Sequence, residues 1–127
     1  MRYWDASAIV PLLMEPPTVG DLRHLLDEDR EFAIWWGTSV ECLSALVRRE
    51  REGRLTAADV RAGEQRLNAL LGEVQEIQPS GSLREGAGRL LHRYPLSAAD
   101  ALQLSAAMAT ARDRPRDVGF VCLDRRL

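Results

Sequence analysis

The sequence predicts an α/β fold: a three-layer sandwich in which a central parallel sheet of about four strands carries helices on both faces, as a single domain over residues 1–127. Three observations lead there. Short apolar runs of strand length alternate with longer helical patterns. Ser or Thr opens most of the helical stretches, and Gly or Pro closes them. Charge is crowded into some segments and nearly missing from others.

Arg2–Trp4 reads as a short strand running into Asp5. Ser7 caps a helix through Met14, which Pro16 and Pro17 stop. A second helix begins at Thr18 and runs to about Asp29. Phe32–Trp36 is a continuous apolar strand. Thr38 or Ser39 caps a helix to about Glu52, with Gly53 just past its end. Thr56 caps the next, to about Leu71, and Gly72 ends it. Val74–Gln78 is a third strand. Ser82 opens a helix to about Tyr94, stopped by Pro95, and Ser97 opens another to about Arg112. Gly119–Leu123 is the last strand. There is no internal repeat, low-complexity tract or linker.

Composition excludes several function classes. The chain is 46% hydrophobic and 28% charged, as globular proteins are. No apolar run approaches the ~18–20 residues of a membrane span. The start MRYWDAS has no apolar signal segment, and Cys42 and Cys122 match no zinc or redox spacing, so a reduced cytoplasmic protein without a membrane partner is expected. The net charge of −2 offers no global basic field for nucleic acid. All 17 basic residues are Arg. Without Lys there is no P-loop, no Schiff base and no Ser–Lys hydrolase. With only His24 and His92, a histidine-rich metal site is excluded too.

Three stretches, Tyr3–Met14, Phe32–Val47 and Tyr94–Ala111, hold one charged residue each: Asp5, Glu41 and Asp100. Asp124 closes a fourth uncharged run, Val118–Leu123. Uncharged runs read as buried elements, where a lone carboxylate is costly unless paired. In a parallel α/β fold Asp5 and Asp124 fall at strand carboxyl ends, and Glu41 and Asp100 fall in first turns of helices, at the edge where such folds bind ligands. Carboxylates gathered there would repel by roughly 3 kcal/mol per pair at ~6 Å and an effective dielectric of ~20. Two readings stand. A hard divalent cation, Mg²⁺ or Mn²⁺, is shared by the all-oxygen set. Otherwise the acids pair with Arg from elsewhere, and Glu41 and Asp100 complete capping boxes with Thr38 and Ser97. Thr18–Asp21, Thr56–Asp59 and Ser82–Glu85 carry the same spacing and read as plain caps, and Thr110–Asp113 falls at a helix end.

Asp5-Ala6-Ser7-Ala8, Val40-Glu41-Cys42-Leu43-Ser44-Ala45-Leu46, Leu96-Ser97-Ala98-Ala99-Asp100-Ala101-Leu102-Gln103-Leu104 and Phe120-Val121-Cys122-Leu123-Asp124-Arg125-Arg126-Leu127 resemble, in this order and spacing, the four motifs of the PIN domain. In length the chain is similar to the VapC-type toxins of bacterial toxin–antitoxin pairs. The resemblance implies an endoribonuclease that hydrolyses RNA phosphodiesters with Mg²⁺ or Mn²⁺ held by Asp5, Glu41, Asp100 and Asp124. It implies Ser7 as a supporting hydroxyl, a cognate antitoxin and a homodimer. Ala6 stands where the family commonly has Thr, and Cys122 where it has Thr or Ser. The sequence given stops three residues after Asp124, where the family continues into a further helix and strand.

Arg125 and Arg126, beside a candidate ligand, are placed for substrate phosphate. The run Arg48-Arg49-Glu50-Arg51-Glu52-Gly53-Arg54 reads as a solvated helix end. Trp35 and Trp36 suit core packing or base stacking. Leu22, Leu25 and Leu26 suit the core or part of an apolar groove for a partner helix, and His24 and His92 receive no role. The competing function class is a catalytically impaired module of the same fold that binds RNA or a partner.

Overall fold

A computed structural model of the chain describes residues 1–14, 20–28, 31–112 and 116–127. Arg2–Trp4 (β1), Phe32–Trp35 (β2), Gln75–Ile77 (β3) and Gly119–Val121 (β4) form one sheet in the order β3-β2-β1-β4, with every pairing parallel. Tyr3 lies opposite Ala33 on one side and Phe120 on the other. The chain moves outward through β2 to β3, then returns to the far side of β1. The strand order therefore reverses between β1 and β4, and ligand crevices in open α/β sheets lie beyond the carboxyl ends at that reversal. Asp5 directly follows β1, and residues 122–124 follow β4.

Side chains alternate between the two faces of the sheet. Trp4, Phe32 and Ile34 enter one apolar cluster with Ile9, Leu13, Cys42, Leu46, Val60 and Leu67. Tyr3, Ala33 and Trp35 enter a second with Leu83 and Ala106. The first cluster draws on helices Ala6–Ile9 (α1), Thr38–Arg51 (α3) and Ala57–Leu71 (α4) and on the 3-10 turn Val10–Leu13. The second draws on Gly81–Arg93 (α5) and Ala98–Thr110 (α6). Helices thus cover both faces, which is why all four residues of β2 are buried. Leu22, Leu25 and Leu26, on the helix Gly20–Glu28 (α2), pack half-buried against the first cluster. No helix among the described residues is long and apolar enough to cross a membrane.

The helix starts differ from the sequence expectation in instructive ways. Asp5, not Ser7, caps α1: its Oδ2 accepts from the Ser7 backbone N–H at 3.0 Å. α1 then gives way to the 3-10 turn at Val10, because Pro11 has no N–H for the α ladder. Gly37 stands at the cap of α3 with no side-chain bond, so Thr38 is already helical and no Thr38–Glu41 box forms. Ser80 caps α5 in place of Ser82, accepting from Leu83 N–H at 3.1 Å. Thr56 and Asp59 form the full reciprocal box on α4. Ser97 caps α6 by accepting from Asp100 N–H at 3.1 Å, while the Asp100 carboxylate does not reach back. Gly53, at φ +75°, follows α3 in the left-handed conformation that glycine adopts without steric cost. The expected boundaries at Pro16, Pro17, Thr18 and Asp29, and the Asp113 end of the Thr110 motif, lie outside the described residues.

The uncharged runs are not uniformly buried. Tyr3–Met14 is: all but Ser7, Pro11 and Met14 are inside. In Tyr94–Ala111, by contrast, Tyr94 and Met108 are exposed, as are Ala98 and Ala99. α6 buries one stripe, Ala101, Gln103, Ser105 and Ala106, keeps Leu102 and Ala107 half-buried against the second cluster, and exposes Ala98, Ala99 and Met108.

Candidate functional site

β1 ends at the centre of the sheet's carboxyl edge and delivers Asp5 there. The Asp5 backbone N–H donates to Val121 O at 2.9 Å, so β1 and β4 stay paired one residue past β1. Asp5 is 6% exposed. Capping α1 uses its Oδ2, and Oδ1 makes no hydrogen bond among the described residues. Ser7 ties the segment after β4 to this corner. Its Oγ accepts from Leu123 N–H at 2.9 Å and lies 3.5 Å from Cys122 Sγ. Cys122 Sγ is 3.7 Å from Asp5 Oδ2, and burial raises its thiol pKa.

α3 and α6 bring the next two acids in their first turns. Glu41 Oε1 accepts from Gln103 Nε2 at 3.0 Å. Burial pushes the Glu41 carboxyl up to about 7; the Gln103 hydrogen bond opposes that rise, and the charges of Asp5 and Asp100 add to it. The three carboxylates are therefore electrostatic neighbours. Asp100 is half-buried, and its carboxylate makes no hydrogen bond or ion pair among the described residues. No described Arg pairs with Asp5, Glu41 or Asp100.

Asp124 is treated differently. Arg126 clamps it with its backbone N–H at 2.9 Å and Nε at 3.1 Å on Oδ1, and with Nη2 at 2.9 Å on Oδ2. That clamp holds the Asp124 carboxyl below its ordinary range. Arg126 also feels the charge of Asp100, so the clamp borders the other acids. Arginine pairing accounts for one of the four acids and leaves three without it.

These three side chains offer hard oxygen donors with unused lone pairs, and a cation would relieve the repulsion on Glu41. Among the described residues no three of His, Cys, Asp and Glu stand close enough to enclose one ion. The donor chemistry fits a hard divalent cation; a closed ligand set needs rotation of these side chains or a share of water ligands.

A buried polar network supports the site, and nothing in the sequence reading pointed to it. Gln103, 1% exposed, lies one turn after Asp100 on α6. Its Oε1 accepts from Tyr3 Oη at 2.6 Å, and its Nε2 donates to Thr38 Oγ1 at 3.0 Å as well as to Glu41. A polar amide among the Ala and Leu of α6, three residues from an acid, was the available signal.

Of the other candidates, Trp35 is buried and Trp36 exposed, while Arg125, His24 and His92 are exposed. A groove of about 500 Å³ on α5 and α6 is lined by Arg89, Arg93 and Arg112 with Leu90, Tyr94 and Met108. The three arginines make no ion pair among the described residues, and no Asp or Glu lines the groove.

No family model matches the chain, and no curated protein matches it. Among solved structures it is similar to a toxin-antitoxin complex from Klebsiella pneumoniae, with a TM-score of 0.61 and 19% identity. That alignment covers 93% of this chain and 83% of the other. The likeness is one of fold.

Proposed function

We propose that this chain is a metal-dependent endoribonuclease that acts in the cytoplasm as the toxin of a toxin–antitoxin pair. The observation that carries the reading is that Asp5, directly after β1 at the reversal of strand order, and Asp100 are charge neighbours of Glu41, with no described arginine paired to any of the three. The similar solved structure is itself a toxin-antitoxin complex, which supports a protein inhibitor as partner. Tyr94 and the guanidinia of Arg89, Arg93, Arg112 and Arg125 would contact RNA bases and phosphates. Arg126 would join them once it releases Asp124. Val40, 66% exposed, and Trp36 are apolar surface that a second copy of the chain would cover.

Asp5, Asp100 and Glu41 would hold Mg²⁺ or Mn²⁺, with Asp124 joining directly or through water. The cation, when bound, polarises the phosphoryl oxygen and makes a bound water more acidic. Ser7 N–H fixes one oxygen of Asp5, and the other makes no hydrogen bond among the described residues. Glu41 would bind the cation or, where the cation leaves its carboxylate free, orient the attacking water and take its proton. The water oxygen would join phosphorus as the bond from phosphorus to the leaving strand's oxygen breaks, and solvent would return a proton to that oxygen. The N-termini of α3 and α6 favour negative charge at this edge, on the acids and on the phosphate. An antitoxin would inhibit by offering an Arg to these carboxylates, in the two-pronged geometry that Arg126 adopts on Asp124.

The test is expression of the chain alone, with cleavage of labelled RNA by the purified protein in Mn²⁺ or Mg²⁺. Growth arrest and metal-dependent cleavage are expected, and Asp5→Ala should abolish both. Mn²⁺ should also raise the melting temperature, and Asp100→Asn should remove most of that rise. Arrest by Asp5→Ala as strong as by wild type would replace the nuclease with the binding-module reading.

A further inference from the structure

We infer that Gln103 is a positioning residue for Glu41, and that Tyr3 sets the direction of its amide. The inference rests on the nuclease reading above and adds two residues to it. Tyr3 and Thr38 are fully buried, and Gln103 is nearly so. A buried amide must satisfy its donors and acceptor within the protein. Here Tyr3 Oη donates to Oε1 from β1, and Nε2 divides its two protons between Thr38 Oγ1 and Glu41 Oε1 on α3. Orientation of an amide is read from its network, and this network permits one direction. If the amide were flipped, Oε1 would face the Glu41 carboxylate, acceptor against acceptor, and Nε2 would face a hydroxyl with no second described acceptor. The phenol thus acts at one remove, by keeping the N–H side turned to Glu41.

Glu41 needs such a hold. Asp5 and Asp100 both repel it, and Nε2 is its one side-chain hydrogen-bond donor among the described residues. Released from Gln103, the carboxylate would swing toward solvent, away from the other two acids. Gln103 reaches it from α6, the helix that carries Asp100, so one helix both supplies an acid and aims a second. Outer groups that orient ligating carboxylates are worth roughly 10–100-fold in metal affinity or activity.

The experiment compares wild type, Gln103→Leu and Tyr3→Phe in the full chain. For each it measures melting temperature without metal, the rise in melting temperature against MnCl₂ concentration, and kcat and KM on a labelled RNA oligonucleotide. Gln103→Leu should raise the half-saturating Mn²⁺ at least about tenfold and lower kcat about tenfold, with KM within about twofold. Tyr3→Phe should move the same two quantities in the same direction by a smaller factor. Gln103→Glu should act at least as strongly as Gln103→Leu, since it sets a second acceptor against Glu41. A purely structural role would lower the metal-free melting temperature and leave the Mn²⁺ response and kcat of folded protein intact; that result overturns the inference. If Gln103→Leu does not fold, Tyr3→Phe decides: a folded Tyr3→Phe with wild-type Mn²⁺ response and kcat overturns it. A wild type without Mn²⁺ response or cleavage removes the nuclease reading and this inference with it. A responsive wild type indifferent to both substitutions removes this inference alone.

Discussion

Glu41 carries the electrostatic tension of the site. Its carboxyl moves from the ordinary 4.5 to about 7, so between those values the folded chain binds a proton that the unfolded chain has released. Stability is therefore lost as pH rises through that window: the penalty is absent below about 4.5 and complete above about 7. Glu41→Gln removes the charge and keeps an acceptor for Gln103. We expect it to melt above wild type at pH 8 and level with it at pH 4. Thermal melts of the pair at both values check this, and a gap independent of pH would show that Glu41 ionisation is not its source. Asp124 is the contrasting residue. Arg126 already neutralises it, so the same physics that strains Glu41 is quiet there.

At the scale of elements, the starts of α4 and α6 follow from local chemistry, and the α5–α6 contact does not. Thr56 satisfies Asp59 N–H and Asp59 returns the bond, so Thr56→Ala should cost about 1 kcal/mol in urea unfolding. Where α5 crosses α6, a Cβ on Gly86 would meet Ser105 Oγ at 2.6 Å. That hydroxyl cannot easily turn away, because it donates to Leu83 O at 2.7 Å. Gly86→Ala should therefore destabilise by about 1–3 kcal/mol despite alanine's better helix propensity. The same change in a Ser105→Ala background should be markedly milder. Equal penalties in both backgrounds would place the strain elsewhere.

Across the whole molecule, the sheet separates two apolar clusters, and the larger lies under α1, α3 and α4. Leu46 is fully buried in it, against Gly63 of α4. Leu46→Ala should cost about 2–5 kcal/mol in denaturant unfolding. A loss under 1 kcal/mol would mean that α3 and α4 close over the gap. Placing one cluster on each face fixes β1 between them, and with it the height at which Asp5 emerges at the carboxyl edge.

The sequence by itself determined what depends on neighbours three or four residues away. The caps at Thr56 and Ser97, the glycines after α3 and α4, and the strand positions are all legible, since a hydroxyl at a helix start or a glycine at its end acts within one turn. The isolation of Asp5, Glu41 and Asp100 within uncharged runs is legible too. Tertiary structure alone decided the rest. Whether Asp5 or Ser7 caps α1 depends on where β1 stops pairing with β4, across more than one hundred residues. The outward turn of Tyr94 and Met108 depends on which stripe of the α5–α6 pair meets the sheet. The Tyr3–Gln103 bond joins residues one hundred positions apart, and no local pattern encodes it. Such pairings exist only once burial has made each polar group find its partner inside the protein, and that demand is set by packing rather than by sequence spacing.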